Sequence, residues 1–350
     1  MNDIGHLKVG IIGDGAMGTL CGCMLAEKGL GVTLWSAFTA HVEEMRRDGE
    51  NRRFLPGLRF PAGLEVTADA AQLPRDAAFL LSAVPTPYLR EVLLRIRPKL
   101  PEAPLVSVTK GIENETLMRP SEVLRDVLGP LPAERHRPQP QQRTVAVLSG
   151  PCIATEVARR LPATVVVACQ DDERLAHMVQ QTFSSPYFRV YRNNDPVGVE
   201  LAGALKNVIA VAAGILDGLG LGDNAKAALL TRGLVEITRL GVALGARRET
   251  FAGLAGLGDL FTTCVSPYGR NRTVGEAIGR GRAIDDVLRG MQQVAEGVRT
   301  TRSVVALAAK LQVEMPITQE VQRVLFEGKE ARQAIRDLMT RPWRAEDDGR

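Results

Sequence analysis

The chain reads as an α/β domain followed by an all-α domain, and three observations predict this. A strand–turn–helix–strand unit with glycines at fixed spacing opens the sequence. Strands and helices then alternate up to Asn193-Asn194-Asp195-Pro196, after which only helical patterns remain. The third observation is Glu200 to Leu216, where only Lys206 and Asn207 carry polar side chains from Leu201 onward. That stretch is apolar on every face, which marks a buried helix.

The elements follow in order. Lys8 to Ile12 is a short apolar run that reads as a buried strand, and it enters Gly13-Asp14-Gly15-Ala16-Met17-Gly18 directly. Thr19 to Lys28 is helical, Gly29 stops the helix, and Val32 to Trp35 is a second strand. The motif therefore lies where a Rossmann-type unit binds a dinucleotide. Gly13 permits the tight turn, Gly15 lets a pyrophosphate reach the backbone, and Gly18 lets helix and strand pack. The helix N-terminus supplies N–H groups and a positive dipole end. A methyltransferase loop for a nucleoside cofactor is the competing reading. About 20 residues past the motif an acid usually holds the ribose of NAD. Here Trp35-Ser36-Ala37-Phe38 offers neither acid nor base, and Arg46 and Arg47 fall on the next helix as solvated charges. NAD and NADP both remain open.

Ala77 to Val84, Pro104 to Thr109, Thr144 to Leu148, Thr164 to Ala168 and Phe188 to Tyr191 read as further strands. Helices are expected over Tyr88 to Ile96 and Asp171 to Phe183. Two strand ends carry candidate groups, Lys110-Gly111 and Ser149-Gly150-Pro151-Cys152, because open α/β sheets bind ligands at their carboxyl ends. A solvated edge lysine is the plain alternative for Lys110. Gly129 to Arg143, rich in proline, arginine and glutamine, reads as a surface insertion with His136 solvated.

In the helical half, a Gly-rich turn over Asp217 to Asp223 precedes an amphipathic helix, Ala225 to Leu244, and Val298 to Leu311 and Thr318 to Glu327 follow. Burial would disfavour the Lys206 ammonium and bring its proton affinity towards neutrality, as suits a proton donor and acceptor. Snorkelling from the rim of a structural helix is the alternative. Asp259 follows Gly256-Leu257-Gly258, either as a functional carboxylate or as the N-cap of a helix at Leu260 to Cys264. Arg270 and Asn271 precede a helix at Val274 to Arg280, a combination that suits a phosphate, or else forms a solvated basic turn. The expected division is 1–192 for the dinucleotide, 193–342 for substrate and catalysis, with substrate in the cleft between them, and a disordered tail over 343–350.

Composition narrows the class. The 350 residues suggest about two domains, and 45% apolar with 24% charged residues is ordinary for a globular protein. A net charge of +4 is too small and dispersed for nucleic acid, but compatible with a phosphorylated small molecule. The five cysteines, Cys21, Cys23, Cys152, Cys169 and Cys264, form no C-x-x-C pair, so thiols packed as small hydrophobes are expected and no metal site is. No signal peptide and no membrane-spanning run is visible, so a cytoplasmic protein is expected.

Taken together, the motifs resemble NAD(P)-dependent glycerol-3-phosphate dehydrogenase, from about Val9 to Met339. They are G-D-G-A-M-G-T-L (13–20), N-R-R-F-L-P-G (51–57), V-T-K-G-I-E (108–113), L-S-G-P (148–151), G-V-E-L-A-G-A-L-K-N-V-I-A (198–210) and G-L-G-D-L-F-T-T-C (256–264), then G-R-N-R (269–272), V-A-E-G (294–297) and E-M-P-I-T-Q-E-V (314–321). The resemblance implies reversible hydride transfer between NAD(P)H and dihydroxyacetone phosphate, giving sn-glycerol 3-phosphate for phospholipid synthesis, in a homodimer. It also implies roles. Lys206 matches the proton donor and acceptor, and Lys110 a residue touching substrate and cofactor. Gly150, Cys152, Asp259, Gly269, Arg270 and Asn271 match substrate positions. Gly13, Gly15, Ala16, Met17, Gly18, Ala37, Ala154, Arg270, Val294 and Glu296 match cofactor positions. Four of these depart from the family pattern. Met17 replaces an aromatic residue, Ala37 a His or Arg at the adenosine end, Cys152 a Ser or Thr, and Gly269 a common Ser. A nucleotide-sensing protein without turnover, or a related dehydrogenase for another small 2-oxo compound, are the competing functions.

Overall fold

The computed structural model describes residues 5–130, 141–291, 295–343 and 345–346. Val294, His136, most of the 129–143 insertion and most of the 343–350 tail lie outside these residues. The chain forms two compact units, Met1–Thr109 with Met118–Pro196, and Lys110–Leu117 with Val197–Arg350.

The first unit is built on eight strands: β1 Lys8–Ile12, β2 Gly31–Trp35, β3 Leu64–Thr67, β4 Phe79–Ser82, β5 Leu105–Ser107, β6 Val145–Ser149, β7 Ala163–Ala168 and β8 Phe188–Asn193. Their order is β3-β2-β1-β4-β5-β6-β7-β8, parallel throughout except between β6 and β7. The strands read as continuous apolar runs because both faces are covered. Val9, Ile11, Phe79 and Leu81 join one buried cluster, while Ile12, Leu80 and Leu105 join the other, as the two-residue period of a strand requires. The chain order reverses between β1 and β4, and the glycine turn leaves β1 at that switch point. The first helix, Ala16–Glu27, begins inside the motif, three residues before the expected start at Thr19. Neither β3 nor the helix Pro120–Leu128 was expected, although Val123, Leu124, Val127 and Leu128 repeat at helical spacing and are buried.

The second unit is all-α apart from the segment Lys110–Leu117, where the sequence shows no break in composition. Ser303 fastens this segment by donating from Oγ to the Ile112 carbonyl at 3.0 Å. The apolar helix spans Pro196–Leu219, longer at both ends than expected, so the proposed Gly-rich turn shrinks to two residues before Gly222–Ala243 begins. By length and mean hydropathy (1.7) this helix could cross a membrane, yet 94% of its apolar window is buried within the protein. Further helices run over Asp259–Val265, Arg270–Gly279, Ile284–Arg289, Glu296–Lys310, Pro316–Phe326 and Ala331–Met339.

Glycines decide how the Lys206 helix packs. A Cβ on Gly214 would lie 2.0 Å from the Arg272 carbonyl oxygen, and one on Gly218 2.3 Å from that of Glu276. Reciprocally, a Cβ on Gly275 would meet the Val211 oxygen at 2.0 Å, and one on Gly279 the Ile215 oxygen at 2.4 Å. Two four-residue glycine spacings thus press the backbones of Pro196–Leu219 and Arg270–Gly279 together. Asp217 adds an ion pair across the same seam, 2.6 Å from Arg272 Nε. A second tie joins Gly222–Ala243 to Pro316–Phe326. The buried Glu236 carboxylate accepts from the N–H groups of Ile317 (2.6 Å) and Thr318 (3.2 Å) at the start of the latter helix. Burial pushes the Glu236 carboxyl up to about 7, against the pull of those donors.

Two outcomes follow for stability. Alanine is ordinarily favoured over glycine in a helix interior by about 1 kcal/mol. At Gly275 the sign should invert, with Gly275→Ala losing about 2–3 kcal/mol in denaturant titration, because the added Cβ must push backbone. Glu236 has a raised folded pKa, so its contribution is full below its ordinary 4.5 and is lost as pH rises through about 7. Glu236→Gln should therefore remove that part of the stability decline between these pH values, measured by the same titrations.

Candidate active site

The acid–base groups cluster in the second unit. A widened helical turn at Leu254–Gly258, closed by the Gly258 N–H on the Gly253 carbonyl (3.2 Å), delivers Asp259 as the first residue of its helix. Only glycine fits the middle of this turn, since a Cβ on Gly256 would lie 2.0 Å from the Phe251 oxygen. Asp259 is not the N-cap. Its carboxylate is 3% exposed and bridges two lysines, one on each oxygen. Oδ1 lies 2.7 Å from Lys206 Nζ, and Oδ2 lies 2.6 Å from Lys110 Nζ. Lys206, 4% exposed, also donates to Thr263 Oγ1 at 2.5 Å, and Thr263 donates to the Asp259 carbonyl at 2.6 Å.

The Lys206 amine is buried, and a carboxylate lies directly against it. Burial does disfavour the ammonium, but the carboxylate against it favours the charged form. An unpaired buried ammonium would cost several kcal/mol, whereas here each lysine shares an anion. Burial alone would raise the Asp259 carboxyl; Lys110 and Lys206 outweigh it and hold it below the usual carboxylate range. Glu296, first residue of its helix, is pushed up by burial against the pull of Arg270, Lys110 and Lys206. The group as a whole carries more positive than negative charge, which suits an anionic ligand.

Arg270 and Asn271 do not precede a helix but begin one, with Gly269 as its N-cap. Asn271 is buried, and its Oδ1 accepts from the Gly297 N–H at 2.9 Å, which fixes the amide and leaves Nδ2 as its donor. Arg270 is exposed, and Arg272 is engaged by Asp217. Glycine at 269 has a physical reason, because a Cβ there would come within 2.9 Å of the Thr263 carbonyl oxygen. Cys264, in the same helix as Asp259, is buried and its thiol is pushed up to about 12 by that burial, so it is no nucleophile.

The first unit holds the nucleotide features. Gly13 has φ +110°, and a Cβ on it would meet the Ala83 carbonyl carbon at 2.9 Å. A Cβ on Gly18 would strike the Gly13 oxygen at 2.0 Å. Around Gly15, by contrast, no heavy atom lies within 4 Å of where a Cβ would stand, and Gly15 caps the Ala16–Glu27 helix without a side-chain bond. Two glycines are thus closed by protein and the middle one faces open space at a twelve-residue helix's N-terminus, as a bound pyrophosphate needs. Ala16, Met17 and Ala37 are half-buried. Gly150 (φ +140°) lies close against Val165, and the half-buried Cys152 donates from Sγ to the Gly150 carbonyl at 3.2 Å, with Ala154 opening the next helix.

Four residues here carry no expectation from the sequence: Asp14, Ser36, His41 and Asn51. Asn51 donates from Nδ2 to the Asp14 carbonyl (2.7 Å) and Thr19 Oγ1 (2.8 Å), so the 51–57 motif secures the glycine turn. Asp14 Oδ2 accepts from Ser36 Oγ at 2.7 Å and lies 2.6 Å from His41 Nδ1. The position of Asp14 between two motif glycines was the available signal.

Known proteins share this sequence and fold. Residues 8–175 match the N-terminus of NAD-dependent glycerol-3-phosphate dehydrogenase, and residues 195–336 match its C-terminus. Glycerol-3-phosphate dehydrogenase [NAD(P)+] of Geobacter sp. (strain M21) is 50% identical over 97% of this chain and 98% of its own length. That of Citrifermentans bemidjiense is 49% identical with the same coverage. The crystal structure of glycerol-3-phosphate dehydrogenase from Coxiella burnetii superposes with a TM-score of 0.89 at 38% identity, covering 96% of this chain and all of the other. The chain belongs to the NAD-dependent glycerol-3-phosphate dehydrogenase family.

Proposed function

We propose that the chain catalyses the reversible NAD(P)H-dependent reduction of dihydroxyacetone phosphate to sn-glycerol 3-phosphate, with Lys206 as general acid and base. Identity near 50% to enzymes of that name over nearly the whole length supports the reaction. The observation that carries the role of Lys206 is its burial against a single carboxylate that it shares with the partly buried Lys110.

When bound, the nicotinamide would supply the hydride in one direction and accept it in the other. The chain's own residues do the rest. Asp259 keeps the Lys206 ammonium charged and aims it, so Nζ can give its proton to the oxygen forming at C2 of the substrate. In oxidation the same nitrogen takes that proton back. Lys110, on the other carboxylate oxygen, offers a second ammonium for the same negative charge. Arg270 and the fixed Asn271 amide, at the N-terminus of a ten-residue helix, hold the phosphate. Gly269 lets that helix start close to Thr263, and the Gly150–Cys152 turn supplies further substrate contacts. Gly13 to Gly18, Ala37, Lys110, Ala154, Arg270 and Glu296 serve the cofactor, as does Val294 by family resemblance. This assigns residues 1–192 mainly to the dinucleotide and 193–342 to catalysis, with Lys110 contributed to the catalytic group. A homodimer in the cytoplasm, feeding glycerophospholipid synthesis, is part of the same reading.

The test is NADH or NADPH oxidation on adding dihydroxyacetone phosphate. The wild-type protein should show it, and Lys206→Ala should lose about 10²–10⁴-fold in turnover while still binding coenzyme. Near wild-type turnover in that variant contradicts the role of Lys206. Coenzyme binding without any turnover in the wild type would instead favour a sensor.

A further inference from the structure

Dinucleotide-binding turns of this kind usually take their ribose-binding acid from the end of the second strand. Here that position holds Ser36-Ala37-Phe38, and no acid follows within reach in sequence. The structure places a carboxylate there by another route. Asp14, from inside the glycine turn, reaches the first residue after β2 and accepts from Ser36 Oγ at 2.7 Å. We propose that Asp14 is the coenzyme-selecting residue of this chain: its free carboxylate oxygen accepts the adenosine ribose hydroxyl, and its charge opposes a 2′-phosphate, so NADH is preferred over NADPH. This rests on the dinucleotide-binding role proposed above.

Several observations carry it. Asp14 is held on three sides. Ser36 and His41 both engage Oδ2, and Asn51 holds its main-chain carbonyl at 2.7 Å. Oδ1 makes no hydrogen bond among the described residues, and 11% of the side chain remains open to solvent. The carboxylate is therefore pre-aimed with one acceptor oxygen left over, as a specific hydroxyl contact requires. Among the described residues no lysine or arginine is paired with Asp14, and the His41 imidazole at 2.6 Å is its one basic partner. Arg46 donates to the Val66 carbonyl at 3.0 and 2.7 Å, and Arg53 lies over the Phe54 ring at 5.1 Å. A phosphate brought beside a carboxylate in a partly desolvated site loses binding through like-charge repulsion.

Coenzyme binding, read by nicotinamide fluorescence, tests this without turnover. The intact protein should bind NADH about tenfold or more tightly than NADPH, and 2′-deoxy-NADH should bind more weakly than NADH, since a hydrogen bond to a charged group is lost. In Asp14→Asn both differences should shrink, whereas a merely structural loss would weaken all three ligands alike. If that variant does not fold, the three ligands on the wild-type protein decide alone. NADPH binding as tightly as NADH, or equal binding of 2′-deoxy-NADH, overturns the proposal. An NADPH preference abolished by Arg53→Ala overturns it in favour of Arg53. Failure to bind either coenzyme would overturn the dinucleotide reading itself.

Discussion

One buried carboxylate between a buried and a partly buried ammonium group organises the catalytic unit. Asp259 cannot stand in that position without its lysines, because desolvation would drive it to take up a proton. Each lysine in turn would lose the carboxylate oxygen that contacts it. The surrounding structure is arranged so that this arrangement is met. The widened turn around Gly256 brings Asp259 to its place, and Thr263, one turn further along the same helix, caps the Lys206 amine. The short excursion Lys110–Leu117, fastened through Ser303, brings the second lysine.

The same logic explains why the Lys206 helix is apolar on every side. A long side chain keeps one geometry only if its helix is packed all round. Gly214, Gly218, Gly275 and Gly279 achieve that by bringing two backbones into contact. Gly275 lies one turn after Asn271, so the seam that steadies Lys206 also fixes the residues suited to a phosphate. Acid–base group and anion site are thereby held relative to each other by backbone rather than by flexible side chains.

Much of this was legible in the sequence. The strand–turn–helix unit and its glycines carry their meaning in spacing alone, and Gly13, Gly15 and Gly18 occupy three distinct environments of the kind that spacing implies. Lys206 stood out as a charge in an apolar helix. Spacing alone did not pair it with Asp259, because residues 206 and 259 are joined only by tertiary structure and the carboxylate reads equally well as a cap. The family resemblance was what suggested that Asp259 orients Lys206 or a substrate hydroxyl. Lys110 follows a strand end and so reads as part of the sheet domain, yet its segment packs with the helices. Asp14 was hidden for a related reason. The search for an acid past the second strand assumes that the strand itself supplies it, whereas here the glycine turn reaches across to Ser36.

The most direct measurement of the central interaction is the pH dependence of kcat/KM for dihydroxyacetone phosphate reduction in wild type and Asp259→Asn. Reduction needs the Lys206 ammonium, and removing the carboxylate removes what favours that charge. The alkaline limb should therefore move to lower pH in Asp259→Asn, together with a fall in maximal rate. An alkaline limb unchanged from wild type would contradict the dependence of Lys206 on Asp259.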